Sequence, residues 1–342
     1  MKRKILRLIL YTGLVFIIIF LAKIFLPENY NVPQLQKRST TQFWDLLTGS
    51  RIGYTLIPAK GNRKPDPVIY LHGGPGGVVT DRDITMLSPL SEDGYDVYLY
   101  DQVGSGQSSR LENIKEYTVD RHVRDLEEIR KKTGAEKIIL IGQSWGAILS
   151  VLFMADHPER VEKIIFTGPG PIFPIHQELA KLKPPDSLHL REPFYSNKQG
   201  NEKAKNLRTR AMTFLATRLN KKLAPDREAD NFSTYLSYEV NRSTVCDTSK
   251  ILKPEPGSGF YAGVMTFMSL SHVKDPRPEI KKSKIPVLVM KGQCDNQKWG
   301  FTNEYLELFT NHKLAIIPGA GHFISVEQPE LYKKIIREFL SK

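Results

Sequence analysis

Short apolar runs that end in glycine clusters alternate along this chain with stretches that are apolar at every third or fourth position. Residues 68–71, 95–100, 137–141, 285–290 and 313–317 are such runs. Their shortness and lack of polar alternation predict parallel strands buried on both faces. Residues 118–132 keep the other period, with Val119, Val123, Leu126 and Ile129 on one face. Thr118 can cap that helix and Gly134 can end it. Residues 147–156 read as a second helix. The alternation predicts an α/β fold with a doubly wound, mostly parallel sheet, whose ligand-binding loops lie at the carboxyl ends of the strands. Residues 42–56 begin the folded part, with 51–56 as an edge strand.

The rhythm breaks between residues 171 and 275. Prolines cluster at 169, 171, 174, 184 and 185. Residues 204–222 and 230–242 look helical and basic-amphipathic, and 260–270 is apolar with Tyr261, Met265, Phe267 and Met268. This predicts an inserted, mainly helical cap, packed on itself or lining an apolar pocket. The expected organisation is an anchor at 1–26, a tether at 27–46, core at 47–170, cap at 171–275 and core again at 276–342.

The amino terminus has a different pattern. Residues 5–26 are apolar except for Arg7 and Lys23, and Met1-Lys2-Arg3-Lys4 precedes them. About 20 residues of helix cross a bilayer, and basic ends can snorkel. Apolar residues on all sides make an amphipathic helix buried in a core a poor alternative. Lys23-Ile24-Phe25-Leu26-Pro27 contains no small-residue cleavage pattern, so an uncleaved signal anchor is expected rather than a signal peptide. The basic flank places the amino end in the cytoplasm and the folded domain outside it.

The net charge is +12, and Lys2, Arg3, Lys4, Arg7 and Lys23 supply five of the positive charges. The remainder is spread, which argues against nucleic-acid binding and leaves a solvated surface or attraction to anionic lipid. Two cysteines, Cys246 and Cys294, can pair in an oxidising compartment, and a bridge would tie the cap to the loop of Asp295. Their Cα separation is not legible in sequence. No Cys/His spacing supports zinc, and no cofactor or metal is expected.

Gly142-Gln143-Ser144-Trp145-Gly146 sits between a strand and a helix. Glycines permit so tight a reversal, and the turn lifts the Ser144 hydroxyl clear of the backbone. A serine nucleophile needs a base held by an acid, in the chain order serine, acid, histidine. His322 follows a strand on the glycine-rich loop Pro318-Gly319-Ala320-Gly321. His122 and His157 read as solvated or capping, His312 lies at the wrong end of its strand, and His176, His189 and His272 fall in the insertion. Asp295, after the strand at 285–290, is the candidate acid, with an Asx turn as the alternative. His72-Gly73-Gly74-Pro75-Gly76-Gly77 follows a strand and fits neither GxGxxG nor the Walker pattern. Its bare N–H groups, with that of Trp145, can form an oxyanion hole. His72 reads as a brace for that loop. Asp101-Gln102-Val103-Gly104-Ser105-Gly106-Gln107-Ser108 reads as a structural turn beside the site.

Together these motifs resemble the proline iminopeptidase branch of the α/β-hydrolases, over roughly residues 47–170 and 276–342. The resemblance implies a helical cap, a triad of Ser144, Asp295 and His322, and oxyanion donors at Gly73, Gly74 and Trp145. Val103 stands where the family usually has Arg, and Gln143 where it often has Gly. Family aminopeptidases hold the substrate's free amine with acidic cap residues. Tyr238-Glu239 is the expected counterpart of one, and residues 260–265 hold no acid where a second is expected. Tyr238, Glu239 and Tyr261 are the candidate substrate contacts. The expected activity is an aminopeptidase acting on a small peptide with amino-terminal proline or a small apolar residue. A carboxylic ester hydrolase and a low-turnover binding protein are the alternatives.

Overall fold

The computed structural model describes residues 2–251 and 253–342. Met1, the Lys2 side chain and Leu252 lie outside the described residues, and with them part of the basic cluster expected before the apolar segment. Helix α1 (Lys2–Phe25) comes first and is long and apolar enough to cross a membrane. It stands clear of the domain until its last turn, where Arg208 Nη1 donates to the Ile24 carbonyl (2.6 Å).

Among the described residues eight strands form one sheet, in the order β1-β2-β4-β3-β5-β6-β7-β8. Strands β1 (Gln42–Asp45) and β2 (Arg51–Ile57) are antiparallel to each other, and β2 is antiparallel to β4 (Val97–Tyr100). The other neighbours are parallel: β3 (Val68–Leu71), β4, β5 (Ile138–Gln143), β6 (Val161–Thr167), β7 (Val287–Gly292) and β8 (His312–Ile317). The expected edge at 51–56 is therefore corrected. β2 is the second strand, and the edge is the more polar β1. Trp44 of β1 stacks on Tyr54 of β2 at a ring separation of 3.5 Å, a cross-strand contact that short-range polarity does not reveal.

Helix α2 (Asp81–Leu87) connects β3 to β4, and α3 (Val119–Thr133) precedes β5. Thr118 accepts from Arg121 N, and Gly134 ends α3 in the left-handed conformation. Helix α4 (Trp145–Asp156) follows β5. After β6 the chain leaves the sheet for α5 (Asn197–Ala204), α6 (Leu207–Phe214), α7 (Asp226–Asn241) and α8 (Phe260–Ser269). The single helix expected over 204–222 is broken, because Asn206 caps a fresh start at α6 and the turn Leu215–Leu219 is wider than α-helical. Helix α9 (Arg277–Lys282) leads back to β7, α10 (Trp299–Leu308) joins β7 to β8, and α11 (Ile324–Glu327) and α12 (Pro329–Leu340) end the chain. Alternate residues of a strand feed opposite cores: Ile69 and Leu71 on one face, Val68 and Tyr70 on the other.

Residues 27–41 form a strap rather than a loose tether. Glu28 N donates to Glu228 Oε1 (3.0 Å), and Tyr30 packs on Phe232 and Tyr235. Arg38 reaches the Val79 carbonyl and Glu255, and pairs with Asp81. The polarity that reads as a linker instead serves long-range bonds to core and cap.

Candidate active site

The carboxyl ends of β3, β5, β7 and β8 converge on one cavity of about 490 Å³. Ser144 lies between β5 and α4 with φ 54° and ψ −110°, a conformation that costs an L-residue energy and marks a tight strand-to-helix turn. A methyl group on Gly142 would collide with the Gly146 carbonyl, and one on Gly146 with the Leu71 carbonyl. Both glycines are thus required by the packing of the turn against itself and against β3.

His322 and Asp295 follow adjacent parallel strands, β8 and β7. His322 Nδ1 lies 2.8 Å from Asp295 Oδ1, and both side chains are buried. Ser144 and His322 line the same cavity. Asp295 Oδ1 also accepts from Gln297 N (3.0 Å), and Lys291 Nζ lies 3.3 Å from Oδ2. Burial alone would raise the Asp295 carboxyl. Lys291, His322 and the Gln297 N–H outweigh it and hold it at about 2.

On the opposite wall, Gly73 lies against Ser144 and Gln143. His72 is neutral, its pKa lowered to about 4 by burial. Its Nε2 accepts from Gln102 N (3.0 Å), so Nδ1 carries the proton and donates to the Gly73 carbonyl (2.9 Å). Gln102 also accepts from Trp145 Nε1 (2.7 Å) and donates to the His72 carbonyl (3.1 Å). The 101–108 turn therefore ties the two sets of backbone N–H groups together. Trp145 opens α4, where N–H groups have no intrahelical partner.

Three side chains that sequence reading missed complete the setting. Lys291 is buried within β7. Gln102 joins the elbow to the glycine loop. Glu327 accepts from Cys246 N (2.9 Å), Asp247 N (2.8 Å) and Gly321 N (2.6 Å), so one carboxylate joins the cap to the His322 loop. The only local signal for Lys291 is a lysine at the end of an apolar run. The other two depend on distant partners. Cys246 and Cys294 are bonded, with Cα atoms 5.3 Å apart, and tie the same cap segment to the Asp295 loop.

The candidate substrate contacts are corrected. Ser233, Leu236, Ser237, Val240 and Asn241 of α7 line the cavity, at helical spacing. Tyr238 and Glu239 fall on the other side of that helix. Glu239 is 4 % exposed and pairs with Lys203 (3.0 Å) and Arg242 (3.5 Å). Tyr261 is bonded through its hydroxyl to both Ala224 N and O within the cap. The carboxylates on the cavity wall are Asp83 and Glu255. Burial raises both, against partly offsetting hydrogen bonds. His122 is also corrected. It is buried, bonded to Thr266 of α8 (2.9 Å), and lowered to about 3 by burial. Helix α8 covers the flank of α3 that was expected to face water.

The fold and the strand-end cavity define an α/β-hydrolase. Residues 66–329 match the alpha/beta hydrolase fold family, and the chain belongs to it. A proline iminopeptidase of Heyndrickxia coagulans is 25% identical over 300 residues, covering 86% of this chain and 96% of that protein. An alpha/beta fold family hydrolase from Bacillus anthracis has a TM-score of 0.59 at 20% identity, covering 88% of this chain and 99% of that one. An esterase from Exiguobacterium antarcticum has a TM-score of 0.57 at 16% identity, covering 88% and 99%.

Proposed function

We propose that the chain is a membrane-anchored serine hydrolase that removes an amino-terminal proline or small apolar residue from a short peptide. The single observation that carries the chemistry is the 2.8 Å contact of His322 with Asp295 on the wall that Ser144 shares. Ser144 Oγ attacks the carbonyl carbon while His322 Nε2 takes its proton. Asp295, ionised down to about pH 2, keeps Nδ1 protonated and stabilises the imidazolium. The N–H of Trp145 and those of the Gly73-Gly74 loop receive the oxyanion. His322 then protonates the leaving amine, and water, deprotonated by the same imidazole, clears the acyl group from Ser144.

The peptidase reading is supported by similarity to a proline iminopeptidase over most of both chains. With Glu239 turned away, Glu255 and Asp83 become the candidate partners of the substrate amine. The second reading, a carboxylic ester hydrolase, is favoured by how these two are engaged. Glu255 accepts from Asp81 N and Arg38, and Asp83 from Tyr70 and Thr80, so neither carboxylate is uncommitted. An anchor retained after synthesis is supported by the Arg208–Ile24 bond, which builds the end of α1 into the cap.

The test is hydrolysis of a proline arylamide with a free amine, its acetylated form and a short aryl ester, with Ser144→Ala as control. Cleavage of the free-amine arylamide alone supports the aminopeptidase. Cleavage of the ester alone replaces it with the esterase, and no Ser144-dependent turnover of any of them rejects both.

A further inference from the structure

The stretch from residue 203 to 225 contains Lys203, Lys205, Arg208, Arg210, Arg218, Lys221 and Lys222 and no acidic residue. Lys203, Arg208 and Lys222 are paired inside the cap with Glu239, Glu228 and Asp226. Arg210, Arg218 and Lys221 point outward and have no carboxylate within 4 Å among the described residues. Arg210 and Phe214 are four residues apart and share one face of α6, and exposed Arg218 and Leu219 lie in the wider turn that continues it. Phe214 is 58 % exposed and Leu219, at the end of the following turn, 55 %. Two large apolar side chains set among unpaired cations match the composition of a surface that rests on anionic headgroups.

The position of α1 turns this composition into a placement. Helix α6 packs beside the last turn of α1, and the Arg208 guanidinium caps the Ile24 carbonyl while pairing with Glu228. If α1 crosses a bilayer, its last turn is at the membrane surface, and α6 is held there with it. We infer that the Arg210–Phe214 face of α6, with Arg218, Leu219 and Lys221 of the turn that follows it, seats the cap on an anionic lipid surface. The inference rests on the anchored reading above. The occupant is the bilayer that α1 enters, with Phe214 and Leu219 among the acyl-chain ends and the three cations among lipid phosphates. The cap is then clamped to the membrane at two points, α1 and α6, and cannot swing freely on its strap.

The experiment uses the full chain in vesicles of phosphatidylcholine, with and without phosphatidylglycerol. Nitroxide labels are placed at Phe214→Cys, Leu219→Cys and, as a control on α12, Lys334→Cys. Oxygen and a water-soluble nickel chelate then report immersion. The labels at 214 and 219 are expected to become oxygen-accessible and chelate-protected on the anionic vesicles, while that at 334 stays in water. The triple change Arg210→Glu, Arg218→Glu, Lys221→Glu should return both labels to water without altering hydrolysis of a small soluble substrate. Each cation contributes about fivefold near such a surface, so losing three lowers the equilibrium constant for seating on the order of 100-fold, and the added negative charges lower it further. Labels at 214 and 219 as chelate-accessible as that at 334 on both lipids would overturn the inference, even where the chain resists carbonate extraction and the anchor stands. If α1 is cleaved off, a shortened chain that floats only with anionic vesicles upholds the inference and overturns the anchor. One that floats with neither overturns both.

Discussion

At the scale of single residues, the charge balance around Asp295 decides the state of the candidate acid. Its carboxylate is fully buried, and Lys291 is the largest of the influences that keep it ionised there. Because its folded pKa lies below the unfolded value, the stabilisation is complete above about pH 4 and is lost as pH falls towards 2. Lys291→Met leaves the charge with one partner fewer. We expect a loss of about 3 kcal/mol at neutral pH by urea unfolding, and an acid-side fall in stability that starts at higher pH. An unchanged acid limb would mean that His322 and the Gln297 N–H suffice without the lysine.

Elements matter through their phase and their closeness. Helix α7 presents Ser233, Leu236 and Ser237 to the cavity, which puts Glu239 on the other side of the helix, against Lys203. Glu255→Gln should therefore raise KM for a free-amine arylamide about tenfold, the effect of losing one charged contact. Glu239→Gln should leave KM unchanged and lower cap stability. The reverse pattern in steady-state kinetics would restore Glu239 as the amine partner. Two glycine substitutions separate closeness from conformation. Gly146→Ala puts a methyl into the Leu71 carbonyl, so no folded protein is expected by circular dichroism. Gly134→Ala meets nothing within 4 Å and only strains a φ of +75°, a cost of about 1 kcal/mol in thermal melts.

For the whole molecule, the joint between cap and core is the controlling feature. The Cys246–Cys294 bridge, the Glu327 carboxylate and the strap at residues 27–41 all cross it. The bridge closes a loop of 48 residues, which corresponds to about 4 kcal/mol by chain entropy. The double change Cys246→Ser, Cys294→Ser should lower unfolding stability by about 2–4 kcal/mol. It should also lower kcat, since Cys294 immediately precedes Asp295. A variant that loses stability and keeps kcat would show that Glu327 alone holds the two loops.

The sequence by itself determined the α/β architecture, the helical interruption between two halves of a core, and the positions of Ser144, Asp295 and His322 at strand ends. These features are local. A strand end, a glycine that admits a tight turn and a chain order are written within a few residues of one another. Only the tertiary structure decided that Gln42–Asp45 is the edge, that His122 is buried against Thr266, and that the strap belongs to the folded domain. It also decided that α7 turns Tyr238 and Glu239 away from the cavity, and that Lys291, Gln102 and Glu327 brace the site. Each of these depends on a partner far along the chain, and the rotation of one helix against another leaves no mark in the helix's own period.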